Sequence, residues 1–301
     1  MSRCDELHLN RVSHFTFHVP VFKSAVLELD EHLRAHVPKV KTFDWLMNVE
    51  GNVHRAVRNR RTVEFALGGK RYFIKAHRGV GWGEVFKNWM SGRPPIVSAE
   101  PEWQAIEALN RAGVTTPRVA GKGLCGQAPA ALKSFVVMDA LEGMVSLEHF
   151  GRDWRGTKGR QWTALKRQLI KAIADIARRT HGAGMNHRDF YLCHFLVRDR
   201  DWTKWRPADA VELVLIDLHR VQIRDRVPER WLVKDLGGLL FSAFDAGITR
   251  RDLLRFIEAY RGKSWREVLA SEKDFWRKVW RNAVSLYEPF HKRRPPLPQP
   301  W

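Results

Sequence analysis

The chain has 301 residues, 44% apolar and 11% aromatic, which is enough to bury the core of one or two domains. Its 52 Lys and Arg against 33 Asp and Glu give a formal charge of +19, which favours an anionic partner: nucleic acid, an anionic membrane surface, a phosphorylated substrate or an acidic protein. The 3 widely spaced cysteines exclude a disulfide framework and favour a reducing cytosol. The sequence has no long apolar run and no apolar N-terminal core, so we expect neither a membrane-spanning helix nor secretion.

The first 45 residues are predicted to be an N-terminal extension. Five histidines lie in this segment at irregular spacing, and no Cys-x-x-Cys pair accompanies them, so the pattern does not favour a metal site. These histidines are His8, His14, His18, His32 and His36.

Residues 46–138 are predicted to form a small lobe rich in strands. The alternating segment 62–67, the Gly68-Gly69 turn and the answering strand that ends at Lys75 predict a β-hairpin. The glycines of 79–83 are weak evidence for phosphate binding, and we interpret them as a turn. The elements predicted next are helix 84–91, helix 99–111, and strands 114–119 and 134–138.

Residues 139–290 are predicted to form a larger helical lobe after a connector at 139–143. Two strands, 195–197 and 211–216, are expected to pair as a hairpin, and the charged, Trp-containing loop 198–209 between them is expected to face solvent. The predicted helices are 161–181, 235–246, 250–261 and one that opens at Ser271; a proline-rich tail, 291–301, is expected to be disordered.

Two carboxylates, Asp189 and Asp217, lie at the edges of the two strands of the second hairpin, which can bring them together. Each residue alone has an ordinary interpretation as a turn residue or a strand cap. Together with Lys75 at a strand end and Glu102 on the following helix, they form the set that phosphoryl transfer requires. Such a set holds a lysine for the phosphates, a carboxylate for Mg²⁺ and a second carboxylate to receive a proton.

The order of these residues is that of the protein-kinase fold, and the surrounding text resembles one family closely. His187-Arg188-Asp189 matches the kinase catalytic loop, and Asp217-Leu218-His219 occupies the place of Asp-Phe-Gly. Over roughly residues 50–260 the sequence resembles the lipopolysaccharide core heptose kinases of Gram-negative bacteria, the Kdo/WaaP family. The stretches that carry the resemblance are Arg60-Arg61-Thr62, Tyr72-Phe73-Ile74-Lys75, His77-Arg78-Gly79, Glu102-Trp103-Gln104-Ala105-Ile106, Asn186 to Leu196, Ile216-Asp217-Leu218-His219-Arg220, Arg230-Trp231 and Lys234-Asp235-Leu236.

The resemblance implies an α+β, protein-kinase-like fold with a small β-rich N-lobe and a larger helical C-lobe. It also implies phosphate transfer from ATP, with Mg²⁺, to a heptose of the inner core. Asp189 becomes the catalytic base, Asp217 the metal ligand, Lys75 the contact to the nucleotide phosphates and Glu102 the partner of Lys75. His194 stands five positions after Asp189, where protein kinases carry a metal-binding asparagine, and whether it binds Mg²⁺ stays open because Mg²⁺ prefers oxygen.

Two further roles follow from the same resemblance. Asp139 to Leu141 correspond to the hinge whose backbone holds adenine. Asp235 corresponds to the helix aspartate that braces the catalytic loop.

Three departures limit the resemblance. No Gly-x-Gly-x-x-Gly precedes Lys75, so Glu50 to Arg55 would have to cover the nucleotide. His219 replaces the glycine of Asp-Phe-Gly, so the activation switch of protein kinases need not operate. The hairpin is longer than in protein kinases, since Asp189 and Asp217 are 217 − 189 = 28 positions apart.

The predicted partners follow from the charge and from the resemblance. The family's acceptor is lipid-linked, rich in carboxylate and phosphate, and built at the cytoplasmic face of the inner membrane, so we expect a cytoplasmic protein held peripherally at that anionic surface. The aromatic and basic helices near Trp89 and Trp276 to Trp280 are expected either to contact lipid or, as the ordinary alternative, to pack in the core. An acidic carrier protein is a further partner compatible with the charge, and no motif beyond charge indicates nucleic acid.

Two alternative functions remain at this point. One is a kinase-like phosphotransferase that acts on another acceptor, a protein or a small molecule. The other is a non-catalytic basic module that binds membranes.

Overall fold

The computed structural model describes residues 26–57, 59–79, 98–126, 132–154 and 159–299. The predicted helix 84–91 with Trp89 and most of the predicted turn 79–83 lie outside these ranges, as do His8, His14 and His18.

A six-stranded antiparallel sheet forms the first lobe, in the order β1-β5-β6-β4-β3-β2. The predicted hairpin is confirmed: Thr62 pairs with Lys75, and the turn residues Gly68 and Gly69 take positive φ angles of 56° and 79°, a region that glycine enters without strain. The strands are β1 (Val26–Leu29), β2 (Asn52–Val57), β3 (Arg60–Leu67), β4 (Lys70–His77), β5 (Val119–Cys125) and β6 (Lys133–Asp139).

Within the described ranges, three helices accompany this sheet: α1 (Glu31–His36), α2 (Thr42–Asn48) and α3 (Glu100–Arg111). Leu33 of α1 and Leu46 of α2 pack in one buried cluster with side chains of the sheet, so the described end of the predicted extension contributes to this lobe. The division of the chain into domains stays a prediction. Helix α3 confirms the predicted helix 99–111.

The strand predicted at 114–119 is wrong. Residues 114–118 have no regular structure, and the strand β5 begins only at Val119. Two glycines concealed β5 in the sequence, because glycine inside a strand often indicates a close approach rather than a strand former. A Cβ added at Gly121 would lie 2.8 Å from Leu29, and one added at Gly123 would lie 2.5 Å from Phe135.

The second lobe is built mainly of helices, and the long helix predicted at 161–181 is confirmed. Its elements are β7 (Met144–Ser146), α4 (Leu147–Trp154), α5 (Arg160–Gly182), β8 (Met185–Asn186), β9 (Phe195–Arg198), β10 (Leu213–Leu215), β11 (Gln222–Ile223), α6 (Glu229–Ala243), α7 (Arg250–Arg261) and α8 (Trp265–His291). Strands β9 and β10 pair antiparallel, with Phe195 opposite Leu215, as the hairpin prediction requires.

Two helix starts differ from the prediction. Helix α6 begins at Glu229, ahead of Asp235, because Pro228 in an extended conformation precedes it. Helix α8 begins at Trp265 after a capping box formed by Ser264 and Glu267. The predicted start at Ser271 coincides instead with a local departure from helical geometry at Glu272, where φ is −120°.

Four tryptophans of the described part of the second lobe are buried. Trp276 and Trp280 on α8 are only 2% and 7% exposed, so the interpretation of core packing is confirmed and lipid contact by these rings is excluded. Trp202 and Trp205 are also buried, so the loop 198–209 does not turn its aromatic residues to solvent. Gln161 fixes this loop by donating hydrogen bonds to its backbone carbonyls.

The tail after α8 has no helix or strand as far as Gln299, and Leu297 packs against the core instead of being disordered. Among the described residues, no helix combines the length and the apolarity needed to cross a bilayer. The chain thus has the predicted α+β fold, with a β-sheet N-lobe and a helical C-lobe.

Candidate active site

A cleft of about 880 Å³ lies between the two lobes, with lining residues from both. Of the catalytic, nucleotide-binding and metal-binding residues that the sequence suggested, only Asp189 does not line this cleft. The predicted site residues in its wall are Lys75, Glu102, Asp139, Leu141, His194 and Asp217.

Lys75 joins the two lobes across this cleft. Its Nζ donates to Glu102 Oε1 at 2.6 Å and to Asp217 Oδ1 at 3.0 Å. The side chain of Glu102 on α3 is 2% exposed, so the pair is shielded from water on one side. Burial alone would lower the pKa of Lys75, but the two carboxylates outweigh burial and raise it, which keeps the ammonium charged.

Asp217 is held in a conformation that few non-glycine residues adopt. Its backbone lies in the left-handed region (φ 62°, ψ 54°), just before a single 3₁₀ turn over Leu218–Arg220. Besides Lys75, His219 Nδ1 donates to Asp217 Oδ1 at 2.8 Å. Burial works against the carboxylate, but the hydrogen bond from His219 and the charge of Lys75 lower the pKa of Asp217 far below its ordinary value.

The catalytic-loop segment is braced by the aspartate expected from the resemblance. Asp235 on α6 is 1% exposed and accepts the backbone N–H groups of His187 at 2.6 Å and Arg188 at 2.8 Å. His187 is fully buried and donates from Nε2 to the carbonyl of Ile216 at 3.1 Å. This burial lowers the pKa of His187 to about 4, so its ring is neutral at pH 7. The brace therefore fixes the backbone directly before Asp189.

Asp189 lies beside the cleft and is tied to the segment around Asp217 in two ways. Arg220 donates to its Oδ1 at 2.6 Å. His194 Nδ1 donates to its backbone carbonyl at 2.6 Å, while His194 Nε2 faces Asp217 Oδ2 at 3.6 Å. Because a carbonyl only accepts, Nδ1 carries a proton, and in the neutral ring Nε2 is then an acceptor that faces a carboxylate oxygen.

The hinge segment presents few free backbone groups to a ligand. The N–H of Asp139 donates to the carbonyl of Arg118, and that of Ala140 to the carbonyl of Arg71, each at 3.0 Å. The Asp139 carboxylate is occupied by Arg118 at 2.6 and 2.8 Å. Leu141, whose N–H has no partner within the described residues, is therefore the donor of this segment that adenine could use.

The segment expected to cover the nucleotide is a strand for most of its length. Residues 52–55 belong to β2, and Val57, Asn59 and Arg60 line the cleft. His54 and Arg55 of the predicted segment also line the cleft.

The residues present fit a magnesium ion only in part. Asp217 is a suitable oxygen ligand, and Mg²⁺ commonly takes one or two carboxylates together with substrate phosphates and water. The imidazole nitrogen of His194 is a poor ligand for so hard a cation. Among the described residues, no group of three or more His, Cys, Asp or Glu side chains is arranged to hold a metal by itself.

Three residues of the site had no role in the sequence interpretation. His219 anchors Asp217, and Arg220 anchors Asp189. His77 at the end of β4 lines the cleft, where burial and neighbouring cations lower its pKa to about 3. The matched stretches around these residues were the only signal in the sequence. The contact of Arg220 with Asp189 spans 31 positions, and even the contact of His219 with Asp217, two positions apart, depends on the left-handed backbone at Asp217.

The two-lobe fold, the Lys75–Glu102 pair and the braced loop define a protein-kinase-like phosphotransferase. Comparison with known families narrows this class. Residues 44–260 match the model of the Lipopolysaccharide kinase (Kdo/WaaP) family, and the chain belongs to this family.

Curated relatives agree with the family match. The lipopolysaccharide core heptose(I) kinase WaaP of Pseudomonas aeruginosa is 43% identical over 246 residues, which cover 82% of this chain and 90% of that protein. The protein of the same name from Escherichia coli K12 is 39% identical over 249 residues, 83% of this chain and 92% of that protein. Among solved structures, WaaP in complex with acyl carrier protein superposes with a TM-score of 0.74 at 37% identity, covering 87% of this chain and 100% of that one.

Proposed function

We propose that this protein transfers the terminal phosphoryl group of ATP to a hydroxyl group of a heptose in the inner core of lipopolysaccharide. The observation that carries the proposal is the contact of Lys75 with both Glu102 and Asp217 across one cleft. The names of the relatives supply the acceptor.

Each residue has a definite part in this reaction. Asp189 accepts the proton of the acceptor hydroxyl, whose oxygen forms the new bond to phosphorus while the bond to the ADP oxygen breaks. Lys75 neutralises charge on the nucleotide phosphates, and Glu102 holds the ammonium in position. The hinge from Asp139 to Leu141 binds adenine, with the N–H of Leu141 as its donor.

Asp217 is the residue that would hold Mg²⁺. The ion, when bound, neutralises charge that develops on the phosphate oxygens. The His194 ring positions the Asp189 carbonyl and approaches Asp217, and we assign it this orienting role in preference to direct metal binding.

The partners follow from charge. The charge of +19 favours attraction to an anionic bilayer, and this supports a peripheral location at the cytoplasmic surface of the inner membrane, beside the lipid-linked acceptor. An acidic carrier protein is a second proposed partner, supported by the same charge and by the relative solved in complex with acyl carrier protein.

The test is transfer of label from ATP, with magnesium, to core lipopolysaccharide that lacks its core phosphates. Asp189→Ala should abolish labelling, and Asp199→Ala, which removes an exposed carboxylate outside the cleft, should leave it unchanged. If the wild type consumes ATP without labelling lipopolysaccharide, the acceptor is wrong and another acceptor must be sought. If the wild type neither binds nor consumes ATP, the non-catalytic alternative becomes the better explanation.

A further inference from the structure

Four cations surround one indole ring on the large lobe beside the catalytic loop. The charged groups of Arg188, Arg224, Arg230 and Lys234 lie 5.4, 5.9, 5.5 and 4.7 Å from the centroid of the Trp231 ring. We call these five residues the basic cluster. Arg230, Trp231 and Lys234 lie within the stretches that the sequence comparison singled out, but the phosphoryl-transfer site does not use them.

The basic cluster has positive charge without a matching carboxylate. Within the described ranges, no carboxylate is bonded to a side chain of the cluster, and Arg224 donates only to neutral side-chain amide oxygens. Burial and the neighbouring Arg220 and Arg224 lower the pKa of Arg188 by more than the nearby Asp189 and Asp235 raise it. Burial and Arg230 act on the pKa of Arg224 in the same direction. Like charges are therefore held together, an arrangement that an anion would relieve.

The centre of the cluster also has a spare donor. Trp231 Nε1 is buried and has no acceptor among the described residues. A buried donor without a partner is unfavourable, and a native structure usually has a reason for it. Guanidinium and indole N–H groups are donors that suit the oxygens of a carboxylate or a phosphate.

The position of the cluster indicates which ligand it serves. None of its members lines the nucleotide cleft, so ATP is not the anion in question. Arg188 immediately precedes Asp189 in the chain, with a positive φ of 73°, and Arg220 bonds Asp189 while acting on Arg188. An anion bound by the cluster would therefore lie close to the proposed base and outside the nucleotide cleft, where a second substrate can bind.

We propose that the basic cluster binds an anionic group, a carboxylate or a phosphate, carried by the acceptor saccharide. The inference rests on the proposed function and adds a requirement to it: the enzyme selects acceptors with an anion close to the reacting hydroxyl. Arg230 and Lys234, both exposed, form the accessible rim of the site.

The experiment uses the full-length protein and deacylated core oligosaccharide without core phosphates. Binding is measured by calorimetry without nucleotide, and the KM values for oligosaccharide and ATP are measured with nucleotide. The test variant is the double substitution Arg230→Gln and Lys234→Gln. The matched control is Arg200→Gln and Arg266→Gln, which also removes two exposed cations, each 4.4 Å from a tryptophan ring elsewhere on the protein.

The test variant should bind the oligosaccharide tenfold or more weakly, equivalent to about 1.4 kcal/mol per factor of ten, and its KM for oligosaccharide should rise to match. Its kcat at saturating acceptor, its KM for ATP and its melting temperature should stay near those of the control. Repeating the measurement with carboxyl-reduced and with fully dephosphorylated oligosaccharide identifies the anion. The modification that removes the recognised group also removes the difference between variant and wild type.

Three results would overturn the inference: equal binding by variant and control, a difference that survives both modifications, or loss of binding to an acidic carrier protein alone. The last would make the cluster a protein-docking surface. Binding through the cluster without phosphate transfer would refute the proposed function and leave the anion site standing. Phosphate transfer by the variant with an unchanged KM for oligosaccharide would refute the anion site and leave the proposed function standing.

Discussion

Replacing Asp235 by asparagine should lower kcat through the catalytic loop while the large lobe stays folded. The two carboxylate oxygens of Asp235 accept one backbone N–H group each, from His187 and Arg188. An asparagine offers one acceptor oxygen, so its NH₂ group would face the second N–H group, donor against donor.

The magnitude follows from these contacts. The substitution loses one charge-assisted hydrogen bond and leaves one buried backbone donor unpaired, which together cost about 3 to 5 kcal/mol. A domain of ordinary stability, about 5 to 15 kcal/mol, stays folded in the cold after such a loss. The loop that carries Asp189 would shift, and a displacement of about 1 Å at a reacting group can lower kcat about 100-fold.

The matched control is Asp252→Asn. Asp252 is also a buried helix aspartate of the large lobe, bonded to Thr249, Lys166 and Arg255, and it does not line the nucleotide cleft. Urea denaturation should show a comparable loss of stability in both variants, whereas kcat per folded molecule at 15 °C should fall only for Asp235→Asn. An Asp235→Asn protein that is folded and has kcat within threefold of the wild type would refute the reasoning, as would an equal loss of kcat in the control.

The remaining predictions concern the ion pair, one glycine and pH. Glu102→Gln should lower kcat about 10- to 100-fold, the equivalent of one charge-assisted hydrogen bond, with a smaller change in the KM for acceptor; unchanged kcat would contradict its role. Gly184→Ala should destabilise the protein far more than Gly247→Ala. Both glycines have positive φ, but only at Gly184 would an added Cβ overlap a backbone carbonyl, that of Arg224 directly after β11. Equal melting temperatures of the two variants would disprove this. Burial lowers the pKa of His187 from 6.5 to about 4 and that of His77 from 6.5 to about 3, so the fold favours their neutral forms. These histidines do not reduce the free energy of unfolding above pH 6.5, but below this pH each reduces it, by about 2 kcal/mol at pH 5. His77→Gln should therefore make the free energy of unfolding, measured by urea denaturation, fall less between pH 7 and pH 5.

The sequence predicted best the elements that local patterns define. The hairpin that ends at Lys75 follows from strict alternation around a glycine turn, and the pairing that brings Asp189 and Asp217 into one region follows from two short apolar runs. Strand β5 was missed because glycines at close-packed positions look like a turn until the neighbouring side chains are known. The burial of Trp202 and Trp205 was missed because a charged loop gives no local sign of the core beneath it.

The contacts that organise the site could be predicted only in part. The resemblance assigned Glu102 to Lys75, and the structure shows that ion pair. No spacing rule, however, joins Arg220 to Asp189 across 31 positions, and the basic cluster depends on how α6 lies against the catalytic loop. Side-chain partners far apart in sequence are set by packing, so they become visible only once the lobes are assembled.

The segment after Asp217 has a consequence for how the enzyme is controlled. Leu218 is 1% exposed and His219 is bonded to Asp217, so the place where protein kinases have a pivoting glycine is here clamped by packing and by a hydrogen bond. The pair between Lys75 and Glu102 is already formed in the same structure. We therefore expect an active site that is already assembled without substrates and has no separate inactive conformation. Its rate should depend on substrate concentration and not on binding of a regulatory partner or on a covalent modification.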